Sequence, residues 1–262
     1  GKNMSRLERD ADYEWAITLA KQKNLEDLRK NITRSDYMKK FKNFAYNQGY
    51  TIKEVIEKVA NDEMFAKTFL KDPQKQSIHE KTAANFIKDN KHVINFKKLP
   101  ASGANALFLH EGEIISKREH DRLKLTSKSL DFYWEVKVDN EVLKFYATHK
   151  YTNEGGGAQD HQYNEIISFL NNANQVKKSN IFFLAISDGN YYTNPYKGTT
   201  KLEYLKEHFS GQRTEAIAIK ELDGLIDREI FKLRLKSPFL NDVNESATET
   251  TETRSKRKIK VK

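Results

Sequence analysis

At 262 residues, 37% hydrophobic and 32% charged, the chain has the length of one ordinary domain, or of a compact core with a helical appendage, and enough apolar residues to bury a core unaided. The absence of cysteine excludes a disulfide scaffold, cysteine-ligated zinc, iron–sulfur clusters and thiol catalysis, and no apolar run reaches the length of a transmembrane helix. The net charge is +9, but six Lys/Arg fall within residues 254–262 and leave net +3 on the rest, so basicity alone says little about partners.

No apolar signal-peptide segment opens the chain, and a cytoplasmic location is the expectation. Residues 5–72 read as helices: Leu25, Leu28 and Ile32 recur at helical spacing, Ser35 stands where a cap would precede Tyr37, Phe41 and Phe44, and Thr51 precedes Val55, Ile56 and Val59. The break Asn47-Gln48-Gly49-Tyr50 between two such helices faintly resembles a helix-turn-helix. Asp72-Pro73 closes a helical region, 1–73. Ser77 with Glu80 three residues on has capping-box spacing and predicts a helix over 77–90. Residues 91–130 are mixed, with a turn at Pro100-Ala101-Ser102-Gly103.

The strand signal sharpens at 130. Leu130–Val138 alternates strictly, Asp139-Asn140 is a turn pair, and Glu141–Tyr151 is a second strand. With a two-residue loop, opposing residues sum to 279, which sets Asp131 across from Thr148 with Lys150 diagonally beyond it. Asp131, Tyr133, Glu135 and Lys137 then share a polar face with Lys144, Tyr146, Thr148 and Lys150, while Leu130, Phe132, Trp134, Val136 and Val138 form a core face. Glycines 155–157 lead into a helix from about Ala158 to Asn171, and Ile181–Ile186 is a buried-type strand. Residues 190–212 read as irregular and tyrosine-rich, 213–235 as a strand with a helix, and 241–262 as a disordered basic tail.

An aspartate and a lysine converging where the second strand meets the glycine loop resemble the PD-(D/E)XK nuclease superfamily, to which most Type II restriction endonucleases belong. In that family an aspartate on one strand and an acid-X-lysine on the next bind divalent metal and activate water. Asp131 is similar to the first acid, and Thr148-His149-Lys150 to the acid-X-lysine, with threonine where the acid normally stands. Gln159 and Tyr163 resemble the Gln-X-X-X-Tyr element of RecB-type members, and helix 77–90, with Glu80, resembles the acidic core helix of many restriction enzymes. The likeness covers roughly residues 74–190.

The resemblance implies an α/β fold with a restriction-endonuclease-like core: a central mixed sheet of four or five strands flanked by helices, over residues 74–240. Residues 1–73 would then serve DNA recognition or dimerisation. It implies a Mg²⁺-dependent enzyme, with Mn²⁺ as a substitute, cutting double-stranded DNA to leave 5′-phosphates. A homodimer and a cognate DNA methyltransferase as partners, and no membrane, complete the expectation. Asp131 would bind metal, Lys150 would assist the nucleophile, and Gln159 would position it. The second acid would come from Glu165, Asp160 or Glu80, with the Thr148 hydroxyl at the metal. Mg²⁺ takes hard oxygen ligands and few protein carboxylates, so one or two acids suffice beside phosphate and water. Gly156, Gly157, Gln162, Tyr163, Tyr192, Lys197 and Arg213 are the candidate DNA contacts.

Plainer readings stand beside these. Glu135-Val136-Lys137 is a literal Glu-X-Lys with Asp121 upstream, yet Glu135 faces Lys144 as an ordinary cross-strand ion pair. His149 points to the core face and reads as a packed histidine; His161 reads as a surface or DNA-facing residue. Two functions compete with a restriction enzyme: a structure-directed repair or phage-defence nuclease of the same superfamily, and a DNA-binding protein that kept the fold without the activity.

Overall fold

Helix α1 (Tyr13–Lys30) begins where the Asp12 side chain accepts the Trp15 N–H at 3.1 Å, satisfying one of the orphan donors of a helix start. Helix α2 (Ser35–Gln48) ends at Gly49, whose φ of 77° suits a residue without Cβ, and the Tyr50 N–H closes onto the Ala45 carbonyl at 2.9 Å. Ser35 is the first helical residue rather than the expected cap; Arg34 holds the cap position without a side-chain bond. Thr51 caps α3 (Ile52–Asn61) in a full capping box with Glu54, as its spacing predicts. After α4 (Glu63–Lys67), Asp72-Pro73 opens a short 3₁₀ turn. Leu28, Phe41, Val55, Val59 and Ala66 bury a common core, with Phe41 and Phe69 edge to face at 5.0 Å.

The computed structural model describes residues 12–153 and 157–236 and divides into two units, Gly1–Ala83 and Ala84–Lys262. The tail expected to be disordered lies outside the described residues. Among the described residues no helix is long and apolar enough to cross a membrane. Ser77 adopts a left-handed φ of 59°, ends the 3₁₀ turn and directly precedes α5 (Ile78–Lys88), its carbonyl accepting the Lys81 N–H at 3.0 Å.

The second unit is α/β, with a five-stranded mixed sheet flanked by helices. Strands β1 (Val93–Lys98), β4 (Phe132–Val138), β5 (Glu141–Tyr151), β6 (Ile181–Asp188) and β9 (Thr214–Ile217) lie side by side in that order. β4 runs antiparallel to its neighbours β1 and β5; β6 and β9 continue parallel to β5. The parallel step needs a crossover, and helix α7 (Gly157–Ala173) supplies it. The β4–β5 hairpin has the predicted register, with Phe132 opposite Ala147 and Glu135 opposite Lys144. Phe132, Trp134, Val136, Phe145 and Ala147 are fully buried on one face, where Trp134 stacks on Phe145 at 5.3 Å. Tyr133, Glu135, Tyr146, Thr148 and Lys150 are half-buried on the other. Glu135 accepts hydrogen bonds from Tyr133 and Asn95, which hold its carboxyl below the usual range, and it stands on the strand surface.

The mixed stretch 91–130 resolves into β1 and an insertion between β1 and β4. In it, β2 (Leu107–His110) pairs with β3 (Glu113–Ser116) across Glu111-Gly112, both at positive φ, and α6 (Lys117–Arg122) follows. The Leu130 N–H donates to the Leu107 carbonyl at 2.8 Å, and the Glu111 N–H to Asn172 Oδ1 of α7 at 3.1 Å. The stretch 190–212, read as irregular, holds α8 (Asn190–Thr193), the short pair β7 (Pro195–Tyr196) and β8 (Thr199–Thr200), and α9 (Lys201–Phe209). Helix α10 (Leu222–Leu235) lies against β4.

At the end of β6, Gly189 has φ 103°, and a Cβ there would stand 2.2 Å from the Thr152 carbonyl oxygen. Gly189→Ala is therefore expected to lose at least about 3 kcal/mol, strain and overlap together. Gly103→Ala, at φ 89° in open space, should lose only about 1 kcal/mol. Urea unfolding of both variants measures the difference; equal losses would show that the Thr152 contact is not tight.

Candidate functional site

A cleft of about 910 Å³ opens in the second unit over the polar face of the β4–β5 hairpin. Its floor carries Asp131, which precedes β4, with Thr148 and Lys150 of β5, all just past the Phe132–Ala147 pair. Asp131 is held from several sides. Its N–H donates to the Ala147 carbonyl at 2.9 Å, and its own carbonyl accepts the Leu99 N–H at 2.8 Å. Its carboxylate Oδ2 accepts the His149 N–H at 2.8 Å, which fixes its direction beside Thr148. Beyond Lys150 the chain is pinned as well, because the Thr152 N–H donates to the Asp188 carbonyl and the Tyr191 N–H to the Thr152 carbonyl.

Helix α7 forms one wall. His161, Asn164, Glu165, Ser168 and Asn172 recur every three or four residues as a polar stripe facing the cleft. Glu165 stands 4.0 Å from Lys150 Nζ and 3.1 Å from His161 Nε2, and the side chains of Lys150 and Glu165 are 22% and 24% exposed. Gln159 is half-buried and outside the lining: six residues before Glu165, it falls about 240° away around the helix. Asp160 accepts the Tyr191 hydroxyl at 2.6 Å and Gln162 the Thr152 hydroxyl at 3.1 Å, so neither reaches Lys150. Of the three proposed replacements for the missing strand acid, Glu165 alone lines the cleft; Glu80 belongs to the first unit, and the lining comes entirely from the second.

The insertion forms the opposite wall, with His110, Lys117, His120 and the loop Leu125–Ser129. His120 is buried, stacks on Phe108 at 3.7 Å and shares a hydrogen bond with Ser127 Oγ at 3.0 Å, so it ties that loop in place. Lys117 is paired with Asp121 at 2.6 Å, whereas Lys128 is exposed at the rim. The sequence pattern did not point to these wall residues, because nothing local announces that an insertion folds back over a strand. The α7 stripe does carry a signal, polar residues at helical spacing opposite Tyr163, Ile166 and Leu170, and His161, which reads from sequence as a surface or DNA-facing residue, lies on it.

Other candidates lie elsewhere. His149 faces the opposite side of the sheet, its ring 3.7 Å from Asp188 with both side chains nearly inaccessible, as the packed reading expects. Tyr163 is buried against Tyr191 and Tyr196, and Tyr192 is fully buried, so neither ring is available as a surface DNA contact. Lys197 is exposed over the rings of Tyr196 and Tyr204. Arg213 donates to the Val176 carbonyl at 3.3 Å. Thr214 pairs with Phe183 and Ser187 with Lys150, so Arg213 lies about five residues, or ~16 Å, from the level of Lys150 along the strands. Gly157 is the first residue of α7, and Gly156 lies outside the described residues.

Among the described residues no three His, Asp or Glu side chains gather as a ready-made metal cage. The cleft offers instead two carboxylates, Asp131 and Glu165, and the Thr148 hydroxyl, all hard oxygen donors. That sparse set suits Mg²⁺, which keeps several waters and completes its shell with substrate phosphate.

Burial pushes the phenols of Tyr163 and Tyr191 up, and that of Tyr192 up to about 12. The folded chain keeps these protons where the unfolded chain releases them, near pH ~10. This contribution to stability is fully present below that pH and is lost as pH rises through the folded values. Urea midpoints should therefore fall between about pH 9 and about pH 11, and Tyr192→Phe should flatten the fall. A midpoint that does not change over this range would contradict the burial of these hydroxyls.

No family model matches the chain, no curated protein matches it, and no solved structure matches it.

Proposed function

We propose that the second unit is the nuclease core of a Mg²⁺-dependent DNA endonuclease of the PD-(D/E)XK type, acting as a Type II restriction enzyme in the cytoplasm. The observation that carries this reading is the meeting of Asp131, Lys150 and Glu165 in one cleft, from two adjacent strands and the helix that follows them. The order of elements supports it: a strand opened by the aspartate, a second strand carrying the lysine, a connecting loop and then a helix. The mixed α/β sheet agrees with the coarser fold that the resemblance implies.

Each residue has a role that its surroundings support. Asp131, its Oδ2 fixed by the His149 N–H, presents a carboxylate for metal beside the Thr148 hydroxyl. Glu165 supplies from α7 the acid that Thr148 lacks on the strand. Asp131 and Glu165 would hold Mg²⁺, which when bound would supply neutralisation of charge on the phosphate and a lowered pKa for water. Lys150 places an ammonium at the cleft floor to stabilise the attacking oxygen and the transition-state charge, and Glu165 aims it. Lys128 at the rim meets the flanking phosphate. The partner is double-stranded DNA; a homodimer would match a palindromic site, and a cognate methyltransferase would protect it.

Digestion of a long, fully sequenced, unmethylated DNA tests the reading. Discrete fragments with 5′-phosphates are expected with Mg²⁺ or Mn²⁺ and none in EDTA. Lys150→Ala and Glu165→Gln should each slow cutting by about 100-fold or more, whereas Asp160→Asn should cut at the wild-type rate. DNA that stays intact with both metals yet shifts on a gel would leave a DNA-binding protein without activity. Cutting confined to branched or flapped substrates would point to a structure-directed nuclease instead.

A further inference from the structure

The first unit displays an outward surface that the cleft does not explain. Over Tyr37–Lys53 there are four lysines and no acidic residue. Tyr37, Phe41 and Ala45 take one face of α2 into the core. Lys39, Lys42, Asn43 and Tyr46 recur at i, i+3, i+4 and i+7 on the opposite face, and all four are exposed. Tyr46 is 90% exposed and Tyr50, at the following turn, 54%; the Tyr50 ring is stiffened by stacking on Phe44 at 6.3 Å. Lys40 is spent on the Phe69 carbonyl at 3.0 Å, and Asp36, the nearest acid, is engaged by Arg34 at 2.7 Å. The stripe is therefore cationic and aromatic, with amides between.

We infer that the exposed face of α2 binds duplex DNA, with Lys39 and Lys42 on phosphates and Asn43, Tyr46 and Asn47 toward the groove. A helix is 10–12 Å across and the major groove about 12 Å wide, and the stripe runs about 10 Å, two to three base steps. Lysines neutralise phosphates, and asparagine amides match the paired acceptor and donor of adenine. The choice of α2 over α3 follows from charge. In a helix-turn-helix the second helix would enter the groove, but here α3 exposes Glu54 and Glu57 beside Lys53 and Lys58, and borders a cleft lined by Glu54, Glu57, Asp62 and Glu63 with Lys58. Acids outnumber the lysine there, so phosphate is better placed on α2. The choice of DNA as partner rests on the nuclease reading; the charge and exposure do not.

The test is the anisotropy of a fluorescently labelled, random-sequence duplex DNA, titrated in EDTA at several salt concentrations with the full chain. Lys39→Ala with Lys42→Ala should reduce the slope of log affinity against log salt by about 2, and Tyr46→Ala should weaken binding about tenfold. All three positions are exposed, and circular dichroism checks that the variants fold. Asp160→Asn, outside both the cleft and the α2 face, should bind as the wild type does. Unchanged slope and affinity in the α2 variants would overturn the inference while leaving cleavage intact. Binding through α2 by a chain that never cuts would sink the nuclease reading and leave this one standing. Uptake on phosphatidylserine vesicles with no affinity for duplex or single-stranded DNA would also overturn it.

Discussion

The register between β4 and β5 governs everything that happens in the second unit. Side chains alternate across a strand, so a slip of one residue would turn β5 over against β4, sending Lys150 into the core and Phe145 outward. Burying each large apolar side chain contributes about 1.5–3 kcal/mol, and Phe132, Trp134, Val136, Phe145 and Ala147 are all fully inaccessible. The alternative register forfeits most of that. The polar face is thus fixed by the apolar one, and the charged residues at the cleft floor need contribute nothing to stability in order to be held in place.

Helix α7 works by the same division. Tyr163, Ile166 and Leu170 pack it onto Ala185 and Ala216 of the sheet, and this leaves His161, Glu165 and Ser168 facing the cleft. The Lys150–Glu165 pair, 4.0 Å apart and about a quarter exposed, contributes only ~0–1 kcal/mol. It does not hold the helix; packing does, and the pair's geometry follows. The insertion closes the other side through Leu109, which joins the core of Leu130, Ala173 and Phe183, and through the Glu111–Asn172 hydrogen bond. The walls flank the floor in the chain as well as in space, the insertion preceding β4 and α7 following β5.

In the first unit the same economy separates two helices by their outer faces. α2 and α3 share one core, yet α2 turns Lys39, Lys42 and Tyr46 outward with no acid among them, whereas α3 turns out Glu54 and Glu57 as well as Lys53 and Lys58. The αL residue Gly49 and the Thr51–Glu54 box set the angle of the turn between them and commit each residue to its face.

The hairpin, its register, its two faces, the buried strand β6 and the cap of α3 are written in the sequence, because each depends on neighbours a few residues away: alternation, an Asp-Asn turn, a Thr-X-X-Glu box. Asp131 and Lys150 are legible for the same reason. Which acid faces Lys150 is not. Asp160 and Glu165 sit on the same helix, and only the packing of Tyr163 and Ile166 decides that Glu165 turns inward while Asp160 meets Tyr191. The tyrosines after β6 read equally as a binding segment or as a packed loop, and only the tertiary structure shows their rings packed against one another. The insertion's wall, with His120 and Lys128, is likewise a tertiary decision. Local pattern fixes what a residue's own strand or helix does with it; which distant element arrives opposite depends on burying apolar surface across the whole unit, and no short window of sequence holds that sum.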